Sequence, residues 1–395
     1  MTWGNCSDRF AAVQAAFEDN FARHGEVGAG VCVTVHGETV VDLWGGVQAG
    51  ADAEPWQADT LVTVFSCTKG ATALAAHLLV DRGEIDINRL VADYWPEFAA
   101  NGKDEATVAM LLNHTVGLPT WREKIPQGEV YDWDGMVRRC AAEAPFWEPG
   151  TRQGYHMLSF GWLIGEVVRR VSGTSLGTFL REALAEPAGA DFHLGATESV
   201  EPRISRIIPF MPDPAKPSAM TLQVRADRSS IPALALLNQG GMNPNTRECH
   251  AAEIGGGGGV ASARGLAHLY RGFATGEAVR PDTLAQMGRV SAATPRDATL
   301  GIGTRFGLGF MASMDNRRRP AGWDRDSALL SDTAFGHVGA GGSIGFCDPA
   351  EQLSFGYAMN RMGEGILLNE RGQGLVDAVY RSLGYRSNES GAWRR

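Results

Sequence analysis

Val64-Phe65-Ser66-Cys67-Thr68-Lys69-Gly70 sets a serine and a lysine three residues apart, so on a helix they project from one face, a turn from each other. The residues that follow predict such a helix. Ala71, Leu74, Ala75, Leu78 and Leu79 recur at helical spacing, and Gly83 after Asp81-Arg82 is a stop signal. Ser66 then heads an apolar helix, with Lys69 in its first turn. A serine hydroxyl becomes a nucleophile when a base takes its proton. Near the positive end of a helix and away from water, a lysine's charged form is disfavoured, which leaves a neutral amine for that task. The helix dipole and the serine's own N–H favour negative charge on an oxygen bound beside it. Most Ser-x-x-Lys matches are a surface serine followed by a solvated lysine. Here only four lysines occur, at 69, 103, 124 and 216, and the apolar surroundings of this one raise its weight.

Outward from this stretch, composition removes several classes of function. The 395 residues carry a net charge of −9, and the only basic run is Arg317-Arg318-Arg319. A solvated loop explains that run, and no nucleic-acid partner is expected. No run is long and apolar enough to span a membrane, so no membrane partner is expected either. The opening Met1-Thr2-Trp3-Gly4-Asn5-Cys6-Ser7-Asp8-Arg9-Phe10 lacks the basic-then-apolar pattern of a signal peptide. The six cysteines at 6, 32, 67, 140, 249 and 347 are scattered without a C-x-x-C pair, as reduced thiols would be. Both features predict a cytoplasmic location. Cys249-His250 is an isolated pair and His-Glu-x-x-His is absent, so no metal or other cofactor is expected. Nothing in the sequence sets the oligomeric state.

The chain's two ends read alike and its middle differently. Arg9 to Phe21 is an amphipathic helix with Phe10, Val13, Phe17 and Phe21 in one stripe. Gly28 to Val35 and Thr39 to Leu43 form a hairpin across His36-Gly37-Glu38, and Thr60 to Phe65 lead into Ser66. From 85 to about 190 the pattern is helical, with segments at Ala106–Asn113, Tyr131–Ala142, Tyr155 to about Gly173, and Ser175–Leu184. Residues 191–250 carry seven prolines, Pro202, Pro209, Pro212, Pro214 and Pro217 among them, and little pattern, and read as a connection or a lid over a pocket. Gly255–Gly259 lacks the Lys-Ser/Thr of a phosphate loop and is expected to let the backbone pass close to a neighbour. Val260 to Phe273 is helical. Strands at 334–339, 343–347 and 353–359 and a helix from Gln373 to Leu383 close the chain. The fold class is therefore α+β. An antiparallel sheet is built from both chain ends and covered by helices, with an inserted all-helical domain. Residues 1–84 and 251–395 form the mixed domain, 85–190 the helical domain, and 191–250 the connecting or lid region. A cleft between the two domains is where a ligand is expected.

Gly341-Gly342-Ser343-Ile344-Gly345 offers a rival nucleophile, since it fits Gly-x-Ser-x-Gly. That elbow belongs between a strand and a helix, with its histidine later in the chain. All nine histidines precede Ser343, and a strand and an Asp348-Pro349 turn follow it.

Further stretches carry a resemblance. Phe65-Ser66-Cys67-Thr68-Lys69-Gly70 is followed by Leu111-Leu112-Asn113-His114-Thr115-Val116-Gly117-Leu118-Pro119 and by Glu148-Pro149-Gly150-Thr151 leading to Tyr155. Gly257 to Arg264, Phe306-Gly307-Leu308-Gly309-Phe310 and Phe335-Gly336-His337-Val338-Gly339-Ala340-Gly341-Gly342-Ser343 complete the set. In this order they resemble the serine β-lactamase/penicillin-binding-protein superfamily over nearly the whole chain, and in detail the class C β-lactamase-like family VIII carboxylesterases. The resemblance implies Ser66 as the nucleophile of an acyl-enzyme and Lys69 as the group that takes its proton. It implies Tyr155 as general base and acid through a phenolate stabilised by Lys69, and the N–H groups of Ser66 and Ala340 as the oxyanion hole. His337-Val338-Gly339 stands where lactamases carry Lys-Thr-Gly, which would place His337 and Gly339 against substrate. Met157 stands where they carry the asparagine of Tyr-x-Asn. With that amide and that lysine both missing, drug recognition is weakened while acyl transfer is kept. The expected activity is a serine carboxylesterase acting on small esters of short acyl chains. A β-lactamase, a D,D-peptidase or an acyltransferase would use the same groups. A non-catalytic binding protein is the reading from another class, and Ser66, Lys69 and Tyr155 together speak against it.

Overall fold

The computed structural model describes residues 1–50 and 53–395. An edge strand β1 (Thr2–Cys6) precedes helix α1 (Ala11–Arg23), the hairpin β2 (Gly28–Val35) and β3 (Glu38–Gly46), a short β4 (Leu61–Thr63) and helix α2 (Cys67–Asp81). Helices α3 (Val108–Leu112), α4 (Trp133–Ala142), α5 (Ser159–Ser172), α6 (Leu176–Leu180) and the single turn α7 (Glu186–Ala188) follow without a strand. Next come β5 (Phe192–His193), β6 (Ile204–Ser205), α8 (Ala219–Ala226), α9 (Ile231–Leu237) and α10 (Arg247–Ala251). The chain continues through β7 (Val260–Ala261), α11 (Ala263–Thr275), α12 (Pro281–Gly288), β8 (Ala292–Thr294) and β9 (Thr304–Phe306). It ends with β10 (Phe335–Val338), β11 (Ile344–Asp348), β12 (Leu353–Met359) and α13 (Glu370–Ser382). Among the described residues no helix is long and apolar enough to cross a membrane.

The main sheet has six antiparallel strands in the order β1-β3-β2-β12-β11-β10. The two chain ends meet where β2 pairs with β12, Val35 opposite Leu353 and Ala29 opposite Met359. Both strands are buried along their whole length. A strand covered on both faces needs no polar alternation, so Gly28-Ala29-Gly30-Val31-Cys32-Val33 reads as a continuous apolar run. One face is covered by α1 and α13, whose Phe10, Val13, Phe17, Val376, Val379 and Tyr380 share a core with the strands. The other is covered by α11, which packs on β2, β11 and β12. At Gly356 on β12, a Cβ would lie 2.1 Å from the Ala263 carbonyl oxygen. The absent side chain is what lets α11 sit on the sheet.

A second, four-stranded sheet runs β5-β7-β4-β6. Its strands β5 and β6 come from the 191–250 stretch, read from the sequence as a connecting or lid region. A strand of two residues shows no alternation, so no periodicity announces it. The same stretch holds α8 and α9, capped by Ser218 and Ser230 through the N–H groups of Thr221 and Ala233. Val260 and Ala261 are a strand, and helix α11 begins after Ser262, which accepts from Gly265 N–H. The strand β1 also lies outside the expected elements. Its residues are largely exposed, and pairing with β3 rather than apolar pattern holds it.

A buried ion pair fastens α13 to the sheet. Arg371 donates to Glu26 at 2.6 Å and to the Arg361 carbonyl at 2.6 Å, and the Tyr357 phenol donates to the same carboxylate. Burial pushes the Glu26 carboxyl up, and the Arg371 charge opposes that shift. Removing one partner of a buried pair strands the other charge. Arg371→Met should therefore cost about 3–5 kcal/mol, read as a lower urea midpoint at constant slope; a loss below about 1 kcal/mol would show that the pair is not structural.

Candidate active site

Strand β4 ends at Thr63, and two residues on Phe65 adopts a left-handed backbone, φ 46°. For a bulky residue this costs about 1–3 kcal/mol and persists only where the surroundings enforce it. Val64 N–H is tied to the Gly259 carbonyl at 2.9 Å on one side of the bend, and α2 starts on the other. Ser66 is the residue at the cap of α2. That helix is buried from Cys67 to Leu79, so it lacks a polar face.

Lys69 is fully buried. Its Nζ lies 3.0 Å from Ser66 Oγ, 2.6 Å from the Met157 carbonyl oxygen and 2.5 Å from the Gly256 carbonyl oxygen. Burial lowers its pKa well below the usual lysine value. A neutral amine has two N–H groups and one lone pair. The two carbonyls can only accept, so they take the two N–H groups, and the lone pair is left for the Ser66 O–H. Gly256 belongs to the glycine run, and the reason for the run is contact. A Cβ on Gly256 would come within 2.4 Å of the Leu158 carbonyl oxygen, and one on Gly161 of α5 within 2.1 Å of Gly256 N. The run carried a signal in the sequence, but nothing local showed that one of its carbonyls would reach Lys69.

Tyr155 enters from the loop before α5. Its neighbours in sequence are pinned from two sides. Gly154 N–H donates to the His114 carbonyl at 3.1 Å and His156 N–H to His114 Nδ1 at 3.2 Å. His156 Nε2 accepts from Leu118 N–H at 3.0 Å, a role open only to a neutral ring; burial pushes its pKa down to about 3. The Tyr155 ring stacks on Phe306 with centroids 5.8 Å apart, and Lys69 Nζ lies 4.8 Å from its centre. Burial drives the phenol's pKa far up, and a hydrogen bond with the Ser66 side chain offsets only part of this. Burial thus favours the phenol over the phenolate that the resemblance implies, and it likewise favours the uncharged amine at Lys69.

The remaining expected residues separate. Ser66 and Ala340 both line a cavity of about 440 Å³, and among the described residues neither N–H has a protein acceptor. Two free N–H groups beside the hydroxyl can receive an oxyanion. Met157 lines the cavity as well. His337 does not, and its expected contact with substrate is corrected. Strand alternation turns its ring away from the cavity while its neighbour Val338 faces it. The ring is 1% exposed, donates Nδ1–H to the Val338 carbonyl at 2.8 Å and sits 5.9 Å from the Tyr155 ring. Burial holds its pKa down to about 3. Gly339 is likewise not a wall residue. Its N–H bonds the Ser343 carbonyl at 2.7 Å, and a Cβ there would strike the Val64 carbonyl oxygen at 2.3 Å. Ser343 is buried and donates to the Val64 carbonyl at 3.3 Å, which makes it a tie between two loops. The other walls include Phe65, Leu236, Met242, Leu300 and Met362, and among the described residues no charged side chain lines the cavity. Eight of its residues, 207, 209, 236, 239 and 242–245, come from the 191–250 stretch.

Comparison with known proteins bears on the family and the fold. The sequence family described as Beta-lactamase matches residues 13–376. The esterase/beta-lactamase LipL of Mycobacterium tuberculosis is 35% identical over 373 residues, 91% of this chain and 83% of that protein. Among solved structures, a family VIII carboxylesterase superposes with a TM-score of 0.84 at 37% identity, covering 97% of this chain and 100% of the other. EstA of Arthrobacter nitroguajacolicus gives a TM-score of 0.82 at 31% identity over 96% of this chain and 98% of its own. The architecture described above is theirs: a mixed β-lactamase/transpeptidase-like fold with antiparallel sheets.

If the amine of Lys69 is the base, covalent labelling of Ser66 by a fluorophosphonate has a defined pH dependence. The amine is free above its lowered pKa and is lost as pH falls through it. Labelling should rise from acid pH to a plateau with a midpoint well below the ordinary lysine value of 10.5. Lys69→Arg, whose guanidinium stays protonated, should label about 10²–10⁴-fold more slowly at every pH. An Arg variant that labels at the wild-type rate would remove Lys69 from this role.

Proposed function

The chain belongs to the beta-lactamase family, and from that premise we propose that it is a serine carboxylesterase that hydrolyses esters of short acyl chains through a Ser66 acyl-enzyme. The observation that supports this most is the Lys69 amine, whose two N–H groups face carbonyls while Ser66 Oγ lies 3.0 Å away. In this reading Lys69 takes the Ser66 proton as Oγ bonds to the ester carbonyl carbon. The carbonyl oxygen becomes an oxyanion received by the N–H groups of Ser66 and Ala340. Collapse restores the carbonyl and breaks the bond to the alcohol oxygen. Tyr155 gives its proton to that oxygen and is reprotonated by the Lys69 ammonium. Water then repeats the sequence on the acyl-enzyme. Its proton passes to the same amine, the acid departs and Ser66 regains its hydrogen.

The cavity supports the substrate class. At about 440 Å³ it is of the size that takes small ligands, and its walls are mostly apolar. A β-lactam or a peptidoglycan stem brings a carboxylate, and no Lys or Arg lines the cavity to receive it. A neutral ester leaves no charge unpaired there. The relatives fit this reading, since their names describe esterases as well as a β-lactamase.

Ser66→Ala should abolish turnover of p-nitrophenyl butyrate, by at least about 10⁴-fold, with an unchanged thermal midpoint. Across p-nitrophenyl esters of increasing chain length, kcat/KM should peak at short acyl groups. Retained activity in Ser66→Ala would refute the mechanism, and a peak at long chains would refute the short-chain assignment alone. Faster hydrolysis of nitrocefin than of any ester would favour the lactamase reading.

A further inference from the structure

Asp297 is a buried carboxylate that neither the sequence reading nor the chemistry above uses. It lies between β8 and β9, 1% exposed, with no cation as partner among the described residues. Its oxygens accept five hydrogen bonds from four groups. Tyr155 N–H reaches Oδ1 at 2.9 Å and Oδ2 at 3.1 Å. Thr299 N–H and Leu300 N–H reach Oδ1 at 2.8 and 2.9 Å. Thr304 Oγ1 reaches Oδ2 at 3.2 Å. Around this group the two segments are laced together, Ala298 N–H donating to the Gln153 carbonyl at 3.1 Å and Gln153 Nε2 to Thr304 Oγ1 at 3.1 Å. Gly154 permits the approach, since a Cβ there would come within 2.9 Å of Ala298 Cβ.

A carboxylate without a counter-ion is costly to bury unless its donors do something that a neutral group could not. Here they belong to two functional positions. Tyr155 carries the phenol, and Leu300 is a wall of the cavity. One side chain therefore sets both the backbone of the proton donor and the backbone of the substrate wall. We infer that Asp297 is the positioning residue of this site: it holds Tyr155 so that the phenol faces the leaving oxygen, and it fixes the Leu300 wall in the same frame. This rests on the esterase reading, in which Tyr155 serves the leaving alcohol.

The roles of Ser66 and Tyr155 provide a test that separates positioning from general packing. Attack of Ser66 on a fluorophosphonate expels fluoride, which needs no proton from a phenol, whereas expulsion of an alkyl alcohol does. Alkyl butyrate turnover should therefore fall about 100-fold in Asp297→Ala, while fluorophosphonate labelling of Ser66 stays within about 3-fold. Asp297→Asn should restore most of the turnover. The amide oxygen at the Oδ1 position can still accept from Tyr155, Thr299 and Leu300, and its NH₂ can donate to Thr304 Oγ1. In a Tyr155→Phe background Asp297→Ala should add little further loss, because the two act as a unit.

Turnover within about 3-fold of wild type in labelled Asp297→Ala would overturn the inference. So would an undiminished Asp297→Ala loss in the Tyr155→Phe background. If the Ala variant does not fold, Asp297→Ser takes its place under the same two readouts: turnover down with labelling kept supports the inference, and turnover within about 3-fold of wild type overturns it. An inactive wild type would refute the esterase reading itself, a result distinct from an active wild type with an equally active Asp297→Ala.

Discussion

An amine held away from water between two carbonyl oxygens is the constraint on which the site depends. Removing Lys69 from solvent makes its charged form costly, and the Met157 and Gly256 carbonyls fix which way the remaining lone pair looks. Neither carbonyl is near Ser66 in sequence. One lies just past Tyr155 and the other in the glycine run, so the loop before α5 and the loop after α10 must both press on the first turn of α2. Much of the local architecture follows from that requirement. The left-handed Phe65, the absence of side chains at Gly161 and Gly256, and the apolar circumference of α2 are each conditions for placing the amine there.

The site is also an instance of polar groups buried in quantity and paired with care. His114, His156 and His337 surround Tyr155 as neutral rings, their pKa values pushed down by burial. Asp297 lies behind the same tyrosine as a carboxylate saturated by backbone donors. Among the described residues no fixed cation besides Lys69 is thus set against Tyr155. In a medium of low effective dielectric, such a cation would bias proton transfer by several kcal/mol. A shell without one leaves the balance to the three reacting groups and the Asp297 carboxyl behind them.

Much of the fold could be read from the chain because the two outer segments carry strong local patterns. The run Gly28–Val35, the strands after residue 334 and the helices at each end have apolar residues at the period of the element they form. Pairing β2 with β12 follows once both are seen to be two-faced apolar strands. Where the reading fell short, pattern was absent. Thr2–Cys6 is an exposed edge, Phe192–His193 and Ile204–Ser205 are too short to alternate, and α9 is announced only by a serine cap and a proline.

The sequence by itself determined the Ser66–Lys69 pair, since a three-residue spacing on a helix fixes two side chains relative to each other whatever else the chain does. It also determined that Ser343 lacks the context of a nucleophile, and that Tyr155 sits in a loop leading into a helix. Only the tertiary structure decided that His337 turns away from the cavity, that Gly339 and Ser343 serve close packing, and that Gly256 and Asp297 belong to the site. The reason is the range of the interactions. A helical spacing is a local property of the backbone, whereas the carbonyls around the Lys69 amine and the Tyr155 N–H on Asp297 come from segments about a hundred or more residues away, and no window of sequence contains them.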